Sequence, residues 1–160
     1  MTAVPDGTNI VPYRILGKGV AMSNLAIINT DEPEYTSDLD FNEDERRDLA
    51  KEVTSVFKAW KLSTAEQAMV LGITTVGRTT ITRYAHGQPL PQNYDILWRV
   101  GNLLAIFYLL RSYNVNNADK ADKWVTTPNV AVNGARPVDL MKSPNGVGSI
   151  RAWLEAYGAR

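Results

Sequence analysis

Apolar residues recur at three- and four-residue steps along much of the chain, and this spacing predicts a helical protein. The clearest example follows Asn42, which can cap a helix and has Glu45 at capping-box spacing. Five apolar residues then share one face: Leu49, Val53, Val56, Phe57 and Trp60. A cap followed by one apolar face is typical of a helix that packs against a core, so we expect a first core helix here.

A pair of shorter helices is predicted after the first one. Ser63 and Glu66 form a second capping box, and Gly72 supplies the residue type that commonly ends a helix. The following Thr-rich run, residues 74–84, is polar and closes at Gly87, which predicts a short helix with one exposed face. The order of helix, glycine turn and polar helix is that of a helix-turn-helix.

The remaining pattern predicts a long helix and a C-terminal segment built of short pieces. Residues 93–113 are so rich in apolar side chains that more than one face must be buried, which favours the centre of a bundle or a homodimer interface. Residues 114–123 are polar and are expected to form a connector. A helical turn after Pro137 and a last helix over about residues 146–157 are expected to follow.

The chain is therefore predicted to be all-α and to have three parts. Residues 1–40 contain scattered proline and glycine and only short apolar clusters, so we expect a flexible arm that becomes ordered on a partner or adds an edge strand. Residues 41–115 are expected to form a helix-turn-helix domain that also dimerises. Residues 124–160 are expected to form a compact helical C-terminal domain.

The composition argues against an enzyme. The chain has no Cys and one His, so neither a disulfide, a thiolate metal site, a multi-His site nor a His-bearing triad gains support. No phosphate-binding loop or nucleophile motif occurs either, and we expect neither a cofactor nor a metal. The longest nearly apolar stretch, residues 100–110, is too short to span a membrane, and no signal peptide is visible at residue 1, so we expect a cytoplasmic protein without membrane contact.

The charges are unevenly distributed although they sum to zero. Residues 31–48 contain nine acidic residues against two arginines, a net charge of −7, so the rest of the chain carries +7. A basic body can bind phosphate, and a merely solvated basic surface is an equally good interpretation.

The second predicted short helix carries the candidate DNA-binding residues. Their side chains can reach guanine edges, thymine methyl groups or phosphates: Arg78, Thr79, Thr80, Thr82, Arg83 and His86. The alternative is a solvated polar face, since Thr and Arg on a helix need no ligand. Gly72 lies nine residues before the apolar anchor Ile81, where about six are expected, so the turn contains an insertion that can re-aim the helix.

The last predicted helix has one apolar side and one charged side. Ile150, Trp153, Leu154 and Tyr157 follow at three- and four-residue steps, whereas Arg151 and Glu155 lie elsewhere on the helix. Trp, Tyr and Arg are the residue types that most often anchor a protein interface. Packing of Trp153 against its own domain explains the same pattern equally well.

The C-terminal segment resembles the toxin-binding domain of the Xre/MbcA/ParS antitoxin family. The resemblance rests on Trp124, the Thr127-Pro128-Asn129 run, the Asn133-Gly134-Ala135-Arg136-Pro137-Val138-Asp139-Leu140-Met141 run, Gly146 and the apolar series Val147, Ile150, Trp153 and Leu154. Residues 49–113, with the Gly87-Gln88-Pro89-Leu90-Pro91 stretch, look like the helix-turn-helix domain of that family.

The resemblance implies an antitoxin whose partner is a RES-domain toxin, an enzyme that consumes NAD. It further implies that the C-terminal domain covers the NAD cleft of the toxin and that the complex represses its own operon through operator DNA. The residues that we expect to contact the toxin lie in the C-terminal domain: Arg136, Arg151, Trp153, Leu154, Tyr157 and Arg160.

A second function class remains open on the sequence. The chain can be a stand-alone helix-turn-helix transcription regulator whose C-terminal domain senses a ligand or only dimerises. Binding of a RES-type enzyme would favour the antitoxin, whereas operator binding by a protein without such a partner would favour the regulator.

Overall fold

The protein is helical throughout the part of the chain that the structure describes. The computed structural model describes residues 39–73 and 78–158, and no strand occurs among them. The helices are α1 (Glu43–Ala59), α2 (Thr64–Val70), α3 (Arg78–Ala85), α4 (Tyr94–Tyr113), α5 (Ala118–Trp124), α6 (Pro137–Leu140) and α7 (Pro144–Gly158), with a 3-10 turn at Val130–Val132. The predicted all-α class is confirmed. The arm predicted for residues 1–40 lies outside the described residues except at its last two positions.

Both predicted capping boxes are present. The Asn42 side chain accepts a hydrogen bond from the Glu45 backbone N–H at 2.9 Å, and the Glu45 carboxylate accepts one from the Asn42 N–H at 2.9 Å. Ser63 and Glu66 make the same exchange at the start of α2. Each box satisfies backbone donors that the first turn of a helix leaves without partners. The starts of α1 and α2 are therefore determined locally by the sequence.

The long helix α4 lies at the centre of the core and packs against α1, α5 and α7. Most of its apolar side chains are buried, whereas Ile96, Trp98, Phe107, Tyr108 and Leu109 are half-buried and Tyr94 is exposed. The large apolar side chains that stay exposed among the described residues are Met69, Tyr94, Val115, Val130, Trp153 and Tyr157. Much of the apolar surface predicted for α4 is thus buried within the chain itself.

A partly buried hydrogen bond joins α1 to α4 beside this core. The Tyr108 hydroxyl donates to Glu52 Oε1 at 2.6 Å. Burial is the main cause that raises the pKa of both the Glu52 carboxyl and the Tyr108 hydroxyl, and the hydrogen bond to Glu52 raises the pKa of Tyr108 further. This pair gives the α1–α4 contact a directional component that apolar packing lacks.

The expectation of a polar connector over residues 114–123 is wrong in its second half. The Asn117 side chain accepts a hydrogen bond from the Lys120 N–H at 2.9 Å and begins α5. Ala121 is buried on the inner side of this helix. Arg111 of α4 binds Asp122 through two nitrogens, at 3.0 and 2.7 Å. A polar sequence forms a helix here because its cap and one bidentate ion pair hold it against α4.

The last helix begins two residues earlier than predicted. The Ser143 hydroxyl accepts a hydrogen bond from the Gly146 N–H at 3.1 Å, and Pro144 occupies the first helical position, where its missing N–H costs nothing. Gly146 lies against the Leu140 carbonyl so closely that a Cβ atom there would overlap that oxygen. This close approach lets α7 fold back onto α6.

We predict opposite effects for alanine at two glycines of α7. Gly146→Ala should lower the free energy of unfolding by about 1–3 kcal/mol, because its methyl group displaces the Leu140 backbone. Gly148→Ala should raise it by about 0.5–1 kcal/mol, because its Cβ meets only Trp98, at 3.8 Å, and alanine favours a helix. Urea unfolding of both variants tests this pair. Equal effects of the two substitutions would contradict the close-approach assignment.

Candidate functional site

The predicted DNA-binding residues of α3 fall mainly on one exposed face. Thr79, Thr82, Arg83 and His86 follow at three- and four-residue steps, and all four are exposed. The opposite side of α3 carries Ile81 and Tyr84, which are buried in the core. Thr80 is half-buried at the edge, and Arg78 is the first residue of the helix. The arrangement leaves a polar helix face open to a large ligand.

The end of α3 is fastened to α1. Gly87, at φ +90°, follows the helix, and its carbonyl accepts a hydrogen bond from Arg47 Nε at 3.1 Å. Arg46 Nη1 donates to the Leu90 carbonyl at 2.6 Å. Arg47 also pairs with Glu43 at 2.7 Å and with Asp44 at 2.6 Å. Two of the acidic residues that would repel phosphate are therefore partly neutralised by a neighbouring arginine.

The connection between α2 and α3 is longer than the usual turn of a helix-turn-helix. Helix α2 ends at Val70 and α3 begins at Arg78, whereas three or four residues typically join such helices. The centre of the predicted insertion, residues 74–77, lies outside the described residues. Gly72 stands at φ +72°, where a side chain is strained, and a Cβ there would lie 2.9 Å from Arg99 Nε.

Four aromatic rings from three helices form a continuous surface at the C-terminal end of the molecule. The rings of Trp124 and Trp153 stack at 5.9 Å and 11°, and those of Trp153 and Tyr157 at 5.4 Å and 22°. Tyr113 meets Tyr157 edge-on at 5.8 Å. We call these four residues the aromatic stack. Trp153 is 38% exposed and Tyr157 55% exposed, so the stack presents apolar ring surface to solvent.

Hydrogen bonds and close packing between α4, α5 and α7 hold the aromatic stack in place. The Tyr113 hydroxyl donates to the Leu154 carbonyl at 2.8 Å, which ties the end of α4 to α7. Gly158 lies against the Tyr113 ring, where a Cβ atom would overlap the hydroxyl. Trp124 ends α5, which the Arg111–Asp122 pair fixes to α4. Because each ring belongs to a fastened helix, little side-chain freedom is left to lose on binding.

Two of the residues expected to contact a partner lie inside the molecule. Leu154 is buried, and Arg151 is only 3% exposed. Arg151 donates from Nε to Glu155 Oε1 at 2.8 Å and from Nη1 to Asn102 Oδ1 of α4 at 3.2 Å. The charged Arg151 side chain therefore points into the molecule, where Asn102 supplies a polar partner within the core.

Arg136 lies at the surface within a small charge network, and its side chain is 37% exposed. It binds Asp139 through Nε and Nη2, each at 2.9 Å, and pairs with Glu66 of α2 at 3.2 Å. Lys142 contacts the same Asp139 at 2.6 Å. Hydrogen bonds from Arg136 and then from Lys142 lower the pKa of Asp139 to about 2. Arg160 lies outside the described residues.

Sequence reasoning missed two members of the aromatic stack as site residues, Trp124 and Tyr113. A signal for Trp124 exists, because Ala118, Ala121 and Trp124 recur at three-residue steps after the capping residue Asn117. The stacking itself depends on how α4, α5 and α7 dock, and residues that are 29 positions apart in the sequence, such as Trp124 and Trp153, give no local sign of it.

The described residues contain no group of three or more His, Cys, Asp or Glu side chains that could hold a metal ion. Among the helices of the described part, none is long and apolar enough to cross a membrane.

We predict that Arg151 supports the fold. Arg151→Ala should lower the free energy of unfolding by about 3 kcal/mol, because it leaves Glu155 and the Asn102 carbonyl without this buried partner. Arg83→Ala is the matched control: it removes the same side chain from an exposed position and should change stability by less than about 0.5 kcal/mol. Urea unfolding measures both changes in stability, from the shift of the midpoint at an unchanged m value. Similar losses for the two variants would contradict a structural role for Arg151.

The C-terminal part of the chain is similar to a known protein family. Residues 109–158 match the family model of the antitoxin Xre/MbcA/ParS C-terminal toxin-binding domain. The match is less than half of the chain; it begins in the last turns of α4 and includes the whole aromatic stack. No curated protein matches the chain. The match supports a non-enzymatic, regulatory role as an antitoxin of a toxin–antitoxin system, and a toxin-binding domain implies that the partner is a toxin.

Proposed function

We propose that this protein neutralises a RES-domain, NAD-consuming toxin with its C-terminal segment and represses its own operon by binding DNA with α3. The observation that carries the proposal is the exposed aromatic stack, which lies within the segment that matches a toxin-binding domain. One chain then has both activities, and we propose that it acts in the cytoplasm, where operator DNA and NAD occur together. The protein itself needs no cofactor for either activity.

The aromatic stack has the properties of an interface anchor. Tryptophan and tyrosine dominate the hot spots of protein interfaces because they bury large areas and have few torsions to immobilise. Trp153 and Tyr157 keep much of their ring surface exposed, while Trp124 and Tyr113 support them from α5 and α4. A partner that covers this surface gains apolar burial without reorganising the antitoxin.

In this proposal the residues of the C-terminal segment divide into two roles. Trp153, Tyr157 and Arg136 contact the toxin directly, and Arg160 adds a guanidinium that can pair with acidic groups in the cleft. Arg151 and Leu154 are buried and have a structural role: they hold α7 on α4 and so orient the aromatic rings. Inhibition follows because a rigid apolar surface seated over the NAD cleft excludes the dinucleotide.

The DNA-binding part of the proposal rests on the exposed face of α3. Arg83 and His86 lie beside two threonine hydroxyls on that face, a combination that can contact phosphates and base edges. Arg78 and Thr80 extend the same contact at the start of the helix. We propose that the protein binds as a homodimer, since helix-turn-helix proteins commonly place two such helices on successive half-sites.

The toxin-binding proposal predicts that a double change in the aromatic stack disrupts inhibition. The Trp153→Ala/Tyr157→Ala variant should bind the enzyme encoded by the adjacent gene at least about 30-fold more weakly, as expected for loss of a hot spot worth about 2 kcal/mol. NAD consumption titrated with the variant and with the wild-type protein measures the loss. Val115→Ala, which trims another exposed apolar residue, is the control and should inhibit normally. Full inhibition by the double variant would overturn this assignment of the site.

The DNA-binding proposal predicts a steep dependence on salt. Affinity for a labelled duplex from upstream of the gene should fall as salt rises, and Arg83→Ala should weaken binding and reduce the slope of log K against log salt by about 1. Lys120→Ala, an exposed cation on α5, is the control that should leave that slope unchanged. A flat salt response of the wild-type protein would show that the face of α3 is merely solvated.

A further inference from the structure

A shallow groove lies between the first turns of α4 and the first half of α7. Its α4 wall is the ring surface of Tyr94 and Trp98. Its α7 wall consists of residues with little or no polar side chain: Pro144, Gly148 and Ala152. Trp98 is half-buried and Ala152 is exposed, so the helices of the described part leave apolar surface uncovered here. We call this site the α4–α7 groove.

The polypeptide enters the described part of the structure beside the α4–α7 groove. Leu39 is the first described residue, and its carbonyl accepts a hydrogen bond from Gln92 Nε2 at 2.8 Å. Gln92 precedes α4 by two residues, and Tyr94, the first residue of that helix, borders the groove. From Tyr94 to Trp98 the helix rises only about 6 Å. The segment that precedes Leu39 therefore starts within reach of the groove.

We propose that the α4–α7 groove binds residues 25–28 of the same molecule. Their sequence, Leu-Ala-Ile-Ile, is the longest uninterrupted apolar run before Leu39. The intervening residues 29–38 can span up to about 35 Å when extended, which is ample for the distance. The groove has a volume of about 620 Å³, which suits a few aliphatic side chains. Burial of these side chains against Trp98 and Ala152 removes apolar surface of both partners from water.

The charge of the connecting residues favours the same arrangement. Residues 29–38 contain four acidic side chains and no basic one. A segment that runs from Leu39 into the groove passes the starts of α4 and α7, which are 20 and 15 residues long. The positive ends of two helix dipoles attract acidic side chains there. Asp95 at the groove is paired with Arg99 at 2.9 Å, so its own charge is partly neutralised.

This inference is independent of the proposed function. The aromatic stack, to which toxin binding is assigned, lies at the C-terminal ends of α4 and α7, whereas the groove lies at their N-terminal ends. Residues 25–28 in the groove leave the stack open to a partner. The sequence before Leu39 then serves to cover apolar surface of the helical core.

A pair of introduced cysteines tests the contact in residues 1–160, which contain no native Cys. Ala26→Cys retains the three large apolar side chains of the segment, and Ser149→Cys places a thiol at the groove. Ala26→Cys with Ser55→Cys, an exposed serine of α1, is the matched control. The effective concentration of each thiol pair, measured at equilibrium in a glutathione redox buffer, should be at least about ten-fold higher for the Ser149 pair.

A change confined to residues 25–28 shows whether their apolar character causes this preference. Adding Leu25→Asp and Ile28→Asp to the Ser149 pair should lower its effective concentration to that of the control pair, without touching the helical core. Asn24→Asp and Asn29→Asp add the same charge on either side of the run and should preserve most of the preference.

Three results would overturn the inference. The first is an equal effective concentration for the Ser149 and Ser55 pairs. The second is an Ala26–Ser149 disulfide that joins two chains at micromolar protein, because the groove then takes the segment of a second copy. The third is a preference that survives Leu25→Asp and Ile28→Asp, because apolar burial then does not hold the segment. None of these results depends on a toxin or on DNA, so they leave the proposed function standing.

Discussion

The packing of α7 along α4 is the interaction on which the rest of the structure depends. The two helices run side by side in the same direction: Gly148 lies by Trp98, Arg151 meets Asn102, and Tyr113 bonds to the Leu154 carbonyl. Apolar burial supplies the main driving force for this packing, since α4 carries buried apolar side chains along most of its length. The polar contacts add direction, because a buried arginine whose partner is displaced costs several kcal/mol.

This packing gives the C-terminal segment its shape. The aromatic stack combines rings from α4, α5 and α7, so it exists only when the segment is seated on α4. The family match begins at residue 109, within α4, in agreement with a binding surface to which the end of that helix contributes. The same helix α4 carries Arg99, which reaches α2, and the two proposed binding surfaces therefore share one core.

Much of the fold, but less of the candidate site, could be predicted from the local sequence. The caps at Asn42 and Ser63 and the apolar face of α1 could be predicted because each depends on neighbouring residues only. Helix α5 was missed because its sequence is polar and its stability comes from the contact between Arg111 and Asp122. The burial of Arg151 could not be foreseen, since its partner Asn102 lies 49 positions away and looked like an interruption in an apolar run. The exposed face of α3 was predictable from the alternation of Thr and Arg with Ile81 and Tyr84.

We propose that α7 presents a preformed aromatic surface to a toxin. Hydrogen–deuterium exchange of this chain, alone and bound to its toxin partner, tests that proposal most directly. We expect binding to slow amide exchange in the second half of α7 and in α5, where Trp153, Tyr157 and Trp124 lie. Slowed exchange confined to α1 and α3, or no change in α5 and α7 on binding, would contradict it.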